Sequence, residues 1–322
     1  MLIMNDHRTN LPASPAPGAR IKGSTDVYFI VGDPVAQVLA PEVFNPLFAR
    51  FGIDAAIVPV QVAPADLAAF VKTAFLAKNI KGMWVTIPHK TPVMQVLDHC
   101  SALARMAGAV NAIRRNADGS LEGGLFDGEG FMASLGYFNI SCAGQRVLIL
   151  GAGGAAAAIG ASLAQARSGV VAAEVAFFDP TPGKAAEVAG RIAASTGTRV
   201  QSVASSDPAG FDLVVNASPL GLRLSDAFPC DVARLEPSAA LVDIVMKNQP
   251  TPVVRAARAR GLNAQPGFEM LIQQAHLYLD FFGFPEAAAA LRQDSDGIRD
   301  VIYPAALQGE IRRPPATFFP TP

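Results

Sequence analysis

The spacing of apolar positions changes several times along the chain, and each change falls at glycine or proline. DVYFIVGDP, from residue 26, is a short apolar run closed by a turn and predicts a buried strand. PEVFNPLFARFG opens a helix, DAAIVPVQV is strand-like, and APADLAAFVKTAFLAKNI carries apolar residues at helical spacing. KGMWVTIP predicts a third strand, with helical segments in PVMQVLDHCSALARMAG behind it. VNAIRR and LEGGLF, joined by NADG, predict a hairpin. A second series begins near Gln145, where RVLILGAGGAAAAIGASLAQA reads as strand, glycine turn and helix. EVAFFDP, RVQSVAS, DLVVNASP, ALVDIVM and LNAQPG predict further strands, and GKAAEVAGRIAAST a helix. FEMLIQQAHLYLDFFG predicts a late helix able to fold back on either half. Alternating strands and helices of this kind indicate an α/β fold with mainly parallel sheets.

The ends break the pattern. Residues 1–22 are rich in Pro, Ala and Ser, without the apolar core of a signal peptide, and predict a flexible tail. From about residue 294 the chain becomes Pro-rich, which predicts an extended arm rather than a packed element. Residues 147–166 have the length and apolarity of a membrane span, but glycines interrupt the run and its period changes partway. The reading is therefore no membrane span. Of the 322 residues 51% are hydrophobic and 16% charged, which fits a compact enzyme-like α/β protein. A net charge of −1 offers no general attraction to nucleic acid or anionic membrane. The three cysteines lie far apart, and with the four histidines they show no CxxC or HExxH spacing. No metal site is expected, and a reducing cytoplasm is the expected location.

Candidate chemistry starts at the glycine turn. Gly151, Ala152, Gly153, Gly154 and Ala155 lie between a strand and a helix, where backbone N–H groups and a helix N-terminus receive a pyrophosphate. Ala156 stands at the third glycine of the GxGxxG pattern and still permits close packing. The next strand ends in Asp179, a carboxylate able to accept both ribose hydroxyls of NAD and to repel the 2′-phosphate of NADP. Lys184 is the only nearby cation. A dinucleotide is expected, NAD in preference to NADP, in a Rossmann-type domain.

KGMWVTIPHKTP, residues 81–92, contains the only tryptophan, Trp84, and a lysine, Lys90, that could be either a solvated strand-end residue or a catalytic ammonium. The ordered motifs decide between these. GDPVAQVLAPEVFN, GMWVTIPHK, AVNAI, GGLFDGEGF, GAGGAA, NASPLGL, DIVMKNQPTPVV and GFEMLIQQA together resemble the shikimate/quinate dehydrogenase family, over nearly the whole ordered chain. The resemblance implies two domains: a substrate domain of residues 23–126 with 268–293, and an NAD(P)-binding domain of residues 127–267. It also implies NAD(P)-linked oxidation of a ring hydroxyl on a small molecule, and is compatible with a homodimer. Lys90 and Asp127 fall on the catalytic pair, and Thr86, Asn111 and Gln274 on substrate contacts. Asn216, Ser218 and Leu220 fall beside the nicotinamide half of the cofactor, with Gly267 and Met270 near it.

Five positions depart from the resembling pattern. Val38 and Ala40 stand where the family has two serines that hold the substrate carboxylate. Trp84 replaces an asparagine, Phe126 a threonine and Met246 a tyrosine. These changes predict a substrate that keeps a secondary alcohol or ketone but has a less polar far end, with shikimate itself a poor substrate. Gln37 is the candidate for a replacement donor.

Overall fold

A computed structural model describes residues 21–165 and 170–312. Most of the N-terminal tail and residues 313–322 of the C-terminal extension lie outside the described residues. The first half contains β1 (Asp26–Gly32), α1 (Ala40–Arg50), β2 (Ala55–Gln61), α2 (Leu67–Ala74) and β3 (Ile80–Val85). It continues with β4 (His99–Cys100), α3 (Ala102–Ala107), β5 (Ala112–Arg115), β6 (Leu121–Gly124) and α4 (Asp127–Tyr137). The second half contains β7 (Arg146–Leu150), α5 (Gly154–Ala164), β8 (Glu174–Phe178), α6 (Lys184–Ala193), β9 (Arg199–Ser202) and β10 (Leu213–Asn216). β11 (Ala240–Asp243), α7 (Pro252–Ala259), β12 (Asn263–Pro266), α8 (Phe268–Phe281), α9 (Pro285–Gln293) and α10 (Asp296–Ile302) complete it.

Two six-stranded sheets result, ordered β2-β1-β3-β5-β6-β4 and β12-β11-β10-β7-β8-β9. The second is parallel throughout, and its central strands β7, β8, β10 and β11 are near-continuous apolar runs because helices cover both faces. The first is parallel at β2-β1-β3 and antiparallel at β3-β5-β6, where the expected hairpin lies. β4 adds a two-residue edge strand in a stretch expected to be helical. No helix among the described residues is long and apolar enough to cross a membrane. The apolar window at 147–166 is instead β7 followed by α5, which is buried from Ala156 to Ala164 because α3 and α4 pack on it.

α4 connects the halves. A Cβ on Gly128 would stand 2.2 Å from the Ala158 carbonyl oxygen of α5, and one on Gly130 2.3 Å from the Met270 carbonyl oxygen of α8. The helix is therefore held at backbone distance from a neighbour on each side, with Asp127 at its first position. α8 folds back on the first sheet: Phe268, Ile272, Ala275 and Leu279 share a core cluster with Tyr28, Phe44, Phe48 and Ile57.

The extended arm expected from residue 294 is corrected as far as residue 312. α10 packs, and Arg299 forms a two-pronged ion pair with the fully buried Glu269, Nε to Oε1 at 2.8 Å and Nη2 to Oε2 at 2.9 Å. The Tyr303 hydroxyl and the Gln273 amide also donate to Glu269, at 3.1 and 3.0 Å. Ile298 and Ile302, one turn apart, give α10 its buried face, a signal that the surrounding Asp and Pro residues outweighed in the sequence.

Two alanine substitutions in α4 should move stability in opposite directions. Gly128→Ala forces α4 from α5 and should lower unfolding free energy by about 1–3 kcal/mol. Gly136→Ala, with nothing within 4 Å of the added carbon, should raise it by up to about 1 kcal/mol. Urea midpoints at constant m-value read both, and a tolerated Gly128→Ala contradicts the close-packing account.

Candidate active site

The turn after β3 carries the first candidate side chains. The Thr86 N–H donates to Val31 O at 2.9 Å, and the His89 N–H to Thr86 O at 2.9 Å. The buried His89 ring bonds Val62 O through Nε2 at 2.8 Å, and Lys90 O accepts from the Val110 N–H at 2.8 Å. Backbone bonds on both sides thus fix the root of the Lys90 side chain. Its Nζ pairs with Asp127 Oδ2, the two side chains being 14% and 4% exposed. As first residue of α4, Asp127 sits where the helix dipole favours a negative charge. The incidental solvated lysine is not what the fold holds.

Asn111 ties three segments together. Its Oδ1 accepts from the Phe126 N–H at 3.1 Å, and its Nδ2 donates to Gln274 Oε1 at 3.1 Å. Both side chains are buried, so Gln274 is not on an exposed helix face. Asn111 therefore fixes the residue before Asp127 and orients the Gln274 amide.

The cofactor turn meets this site directly. Gly151 has φ +111°, and a Cβ there would stand 2.7 Å from Ala217 O, so the turn requires glycine. A Cβ on Gly154 would stand only 3.0 Å from the Lys90 Cβ. Gly153, exposed with open space around it, begins an uncapped helix N-terminus that fits a pyrophosphate, with Ala152 and Ala155 on either side. Asp179 Oδ2 accepts from the Ala152 N–H at 2.9 Å and pairs with Lys184 at 3.2 Å, and Oδ1 accepts from the Thr181 N–H at 3.0 Å. Burial acts to raise its carboxyl, but the bonds from Thr181, Lys184 and Ala152 prevail and hold it below the usual range.

The neighbouring loop is organised from within. Asn216 donates to Leu220 O at 2.9 Å and to Asp243 Oδ1 at 3.0 Å, while its Oδ1 accepts from the Ser218 hydroxyl at 2.7 Å. Gly267 lets β12 turn into α8 against the Ile244 backbone, 2.4 Å from where a Cβ would be, and Met270 is a core residue. Sequence reasoning missed Asp243. It is buried and also accepts from the Thr251 hydroxyl at 2.5 Å and the Val245 N–H at 3.1 Å. Burial, only partly opposed by those bonds, pushes its carboxyl up to about 6. The aspartate of the DIVM stretch was the available signal.

The five departures gather in one place. Ala40 and Trp84 belong to the core cluster under the first sheet, and Val38, Phe126 and Met246 pack against it. Trp84 is 2% exposed, with Phe282, Phe44, Tyr278 and Tyr28 around it at 4.4, 4.8, 5.3 and 5.6 Å. Trp84 thus lies inside the cluster, whereas Val38, Phe126 and Met246 at its edge are half-buried. Gln37 donates to Pro34 O and is exposed.

A family model described as the shikimate dehydrogenase substrate binding domain matches residues 30–113. The NADP(+) shikimate dehydrogenase of Rubrobacter xylanophilus is 38% identical over 260 residues, covering 79% of this chain and 89% of that protein. The chain belongs to the shikimate dehydrogenase family. The solved shikimate 5-dehydrogenase of Listeria monocytogenes, in complex with shikimate and NAD, matches at a TM-score of 0.74 with 25% identity, over 88% of this chain and 98% of that one. A ligand-free 5-ketofructose reductase of Gluconobacter matches at 0.71 with 29% identity, over 84% and 99%.

The Asp243 carboxyl should show itself in stability. Its folded value lies above the ordinary carboxylate value, so the stabilisation is complete below about pH 4, is lost as pH rises through about 6, and is then constant. Across that window the wild type should lose about 3 kcal/mol relative to Asp243→Asn. Parallel stability curves for the two proteins between pH 4 and 7 contradict the assignment.

Proposed function

We propose that this protein transfers a hydride between NAD and the secondary alcohol or ketone of a cyclic, uncharged substrate, and that shikimate is a poor substrate. Family membership supports the coarser part, an NAD(P)-dependent dehydrogenase acting on CH–OH. The finer part rests on one observation: the retained Lys90–Asp127 pair lies beside a cluster containing all five apolar departures. A carboxylate set against Val38, Phe126 and Met246 would lose its hydration without gaining donors, at a cost of several kcal/mol. The similarity to a 5-ketofructose reductase supports the same reading, because that protein's named substrate carries no carboxylate.

The bound dinucleotide supplies the hydride acceptor or donor. Lys90 handles the proton: in reduction its ammonium gives a proton to the carbonyl oxygen as that carbon gains hydride, and in oxidation the neutral amine takes it back. Asp127 orients Lys90, and the positive charge stabilises developing alkoxide. Asn111 and Gln274 position the substrate, with Thr86 near them. Asp179 favours NAD, although the names of relatives include both NADP and NAD, and Lys184 beside it reduces the repulsion of a 2′-phosphate. The reading includes a small-molecule substrate and a cytoplasmic location, and is compatible with a homodimer. A second reading, shikimate or quinate dehydrogenase proper, is favoured by the 38% identical relative. A sensor without catalysis is disfavoured by retention of both Lys90 and Asp127.

Steady-state assays with NAD and NADP against shikimate, quinate, 5-ketofructose (as reduction) and cyclic alcohols separate these readings. Shikimate should be turned over about 10³-fold less efficiently than the best uncharged substrate. Lys90→Ala should lower kcat by about 10²–10⁴-fold. Efficient shikimate turnover sinks the altered-substrate reading, and activity indifferent to Lys90→Ala sinks the mechanism. Asp179→Ala should reduce the NAD over NADP preference by about tenfold, the scale of one charged contact; unchanged selectivity removes Asp179 as the discriminator.

A further inference from the structure

Arg191, in the last turn of α6, reaches out of the second half of the chain and into the first. Its Nη2 donates to Ala107 O at 2.8 Å and its Nε to Met106 O at 3.2 Å, the last two carbonyls of α3. A helix end leaves such carbonyls without partners inside the helix, and a cation there also meets the negative end of the helix dipole. Gly108 makes the approach possible: its φ is +65°, and a Cβ would stand 2.6 Å from Arg191 Cζ. The remaining prong, Nη1, holds the exposed Glu187 one turn back in α6 at 3.2 Å. A planar fork serving two adjacent carbonyls is a task that arginine performs and lysine does not.

Both ends of this contact lead back to the site. Just beyond Gly108, the Val110 N–H donates to Lys90 O at 2.8 Å and the Asn111 N–H to Gly124 O at 2.9 Å. Ala109 between them is fully buried, and a Cβ on Gly154 of the glycine turn would stand 3.4 Å from its Cβ and 3.0 Å from that of Lys90. At its other end α6 begins with Lys184, which pairs with Asp179 at 3.2 Å. One short helix thus joins the acid expected at the ribose to the segment that roots the lysine. We propose that Arg191 is a positioning residue: a dinucleotide seated on the glycine turn and Asp179 steadies α6, and Arg191 passes that restraint to residues 106–111, and so to Lys90 and Asn111. This deepens the dehydrogenase reading and rests on it. Hydride transfer is the step that profits, because a misplacement of about 1 Å can cost about a hundredfold in rate.

Arg191→Met keeps the stem and removes the donors, Arg191→Lys keeps the charge without the fork, and Glu187→Gln removes only the exposed partner. Urea midpoints establish that each variant is folded under assay conditions. Amide hydrogen exchange across residues 104–113, with and without saturating NAD, reads the restraint directly. In the wild type NAD should slow that exchange by about fivefold or more, the low end of ordinary coupling between sites. In Arg191→Met the slowing should vanish there and persist at the glycine turn. Turnover is followed with shikimate and NAD and with 5-ketofructose and NADH, and NADH affinity by its own fluorescence. Arg191→Met should lower kcat by about 10–100-fold with NADH affinity close to the wild-type value. Arg191→Lys should fall between the two, and Glu187→Gln should match the wild type. A folded Arg191→Met with wild-type kcat, a kcat loss matched by an equal loss of NADH affinity, or an exchange response that is absent in the wild type or survives in Arg191→Met overturns the inference. Failure of the dehydrogenase reading looks different: the wild type changes NADH absorbance with neither substrate, while exchange still decides whether Arg191 couples the two halves.

Discussion

Asp127 can meet Lys90 only because α4 lies at backbone distance from two other helices. Gly128 brings it against α5 of the cofactor half, and Gly130 brings it against α8, which covers the first sheet. Any larger residue at either position would displace the helix whose first residue is the acid. The ion pair is not itself a source of stability, since withdrawing both charges from water costs several kcal/mol, which their attraction does little more than offset. The stability comes from the helix packing, which holds the pair where Gly154 of the cofactor turn touches the lysine stem.

The two sides of the proposed site are held differently. Lys90, Asn111 and Asp127 are held by backbone bonds and by one another. Val38, Ala40, Trp84, Phe126 and Met246 instead belong to an apolar cluster continuous with the core. An apolar cluster tolerates volume exchange without disturbing the turn that carries the lysine. Trp84 Nε1 is sealed in it without a partner, which costs about 1–3 kcal/mol.

The central strands of the second sheet and the glycine turn were legible because they are apolar runs punctuated by glycine, where composition and geometry agree. The pairing of Lys90 with Asp127 was legible only through ordered motifs, since a lysine after a strand and an acid before a glycine carry little signal alone. β4 was missed because two residues have no period. α10 was missed because its two apolar positions stand among acids and prolines, and its anchor, Arg299, finds Glu269 thirty residues away. Asp243 was missed because its raised carboxyl depends on burial and on Asn216 and Thr251, neither of which is local information. Trp84 was expected to line the substrate, and the fold instead buries it in the aromatic cluster.

The Glu269–Arg299 pair also bears on how the chain is made. The apolar face formed by Tyr28, Phe44, Phe48 and Trp84 is covered by residues from 268 onward, including Leu291, Ile298, Ile302 and Leu307. The parallel sheet of the cofactor half needs none of these in its own strand pairing. During synthesis the middle of the chain can therefore fold first, while the earliest-made sheet waits with its aromatic face uncovered until the last helices leave the ribosome. That interval is when its apolar surface is most open to aggregation.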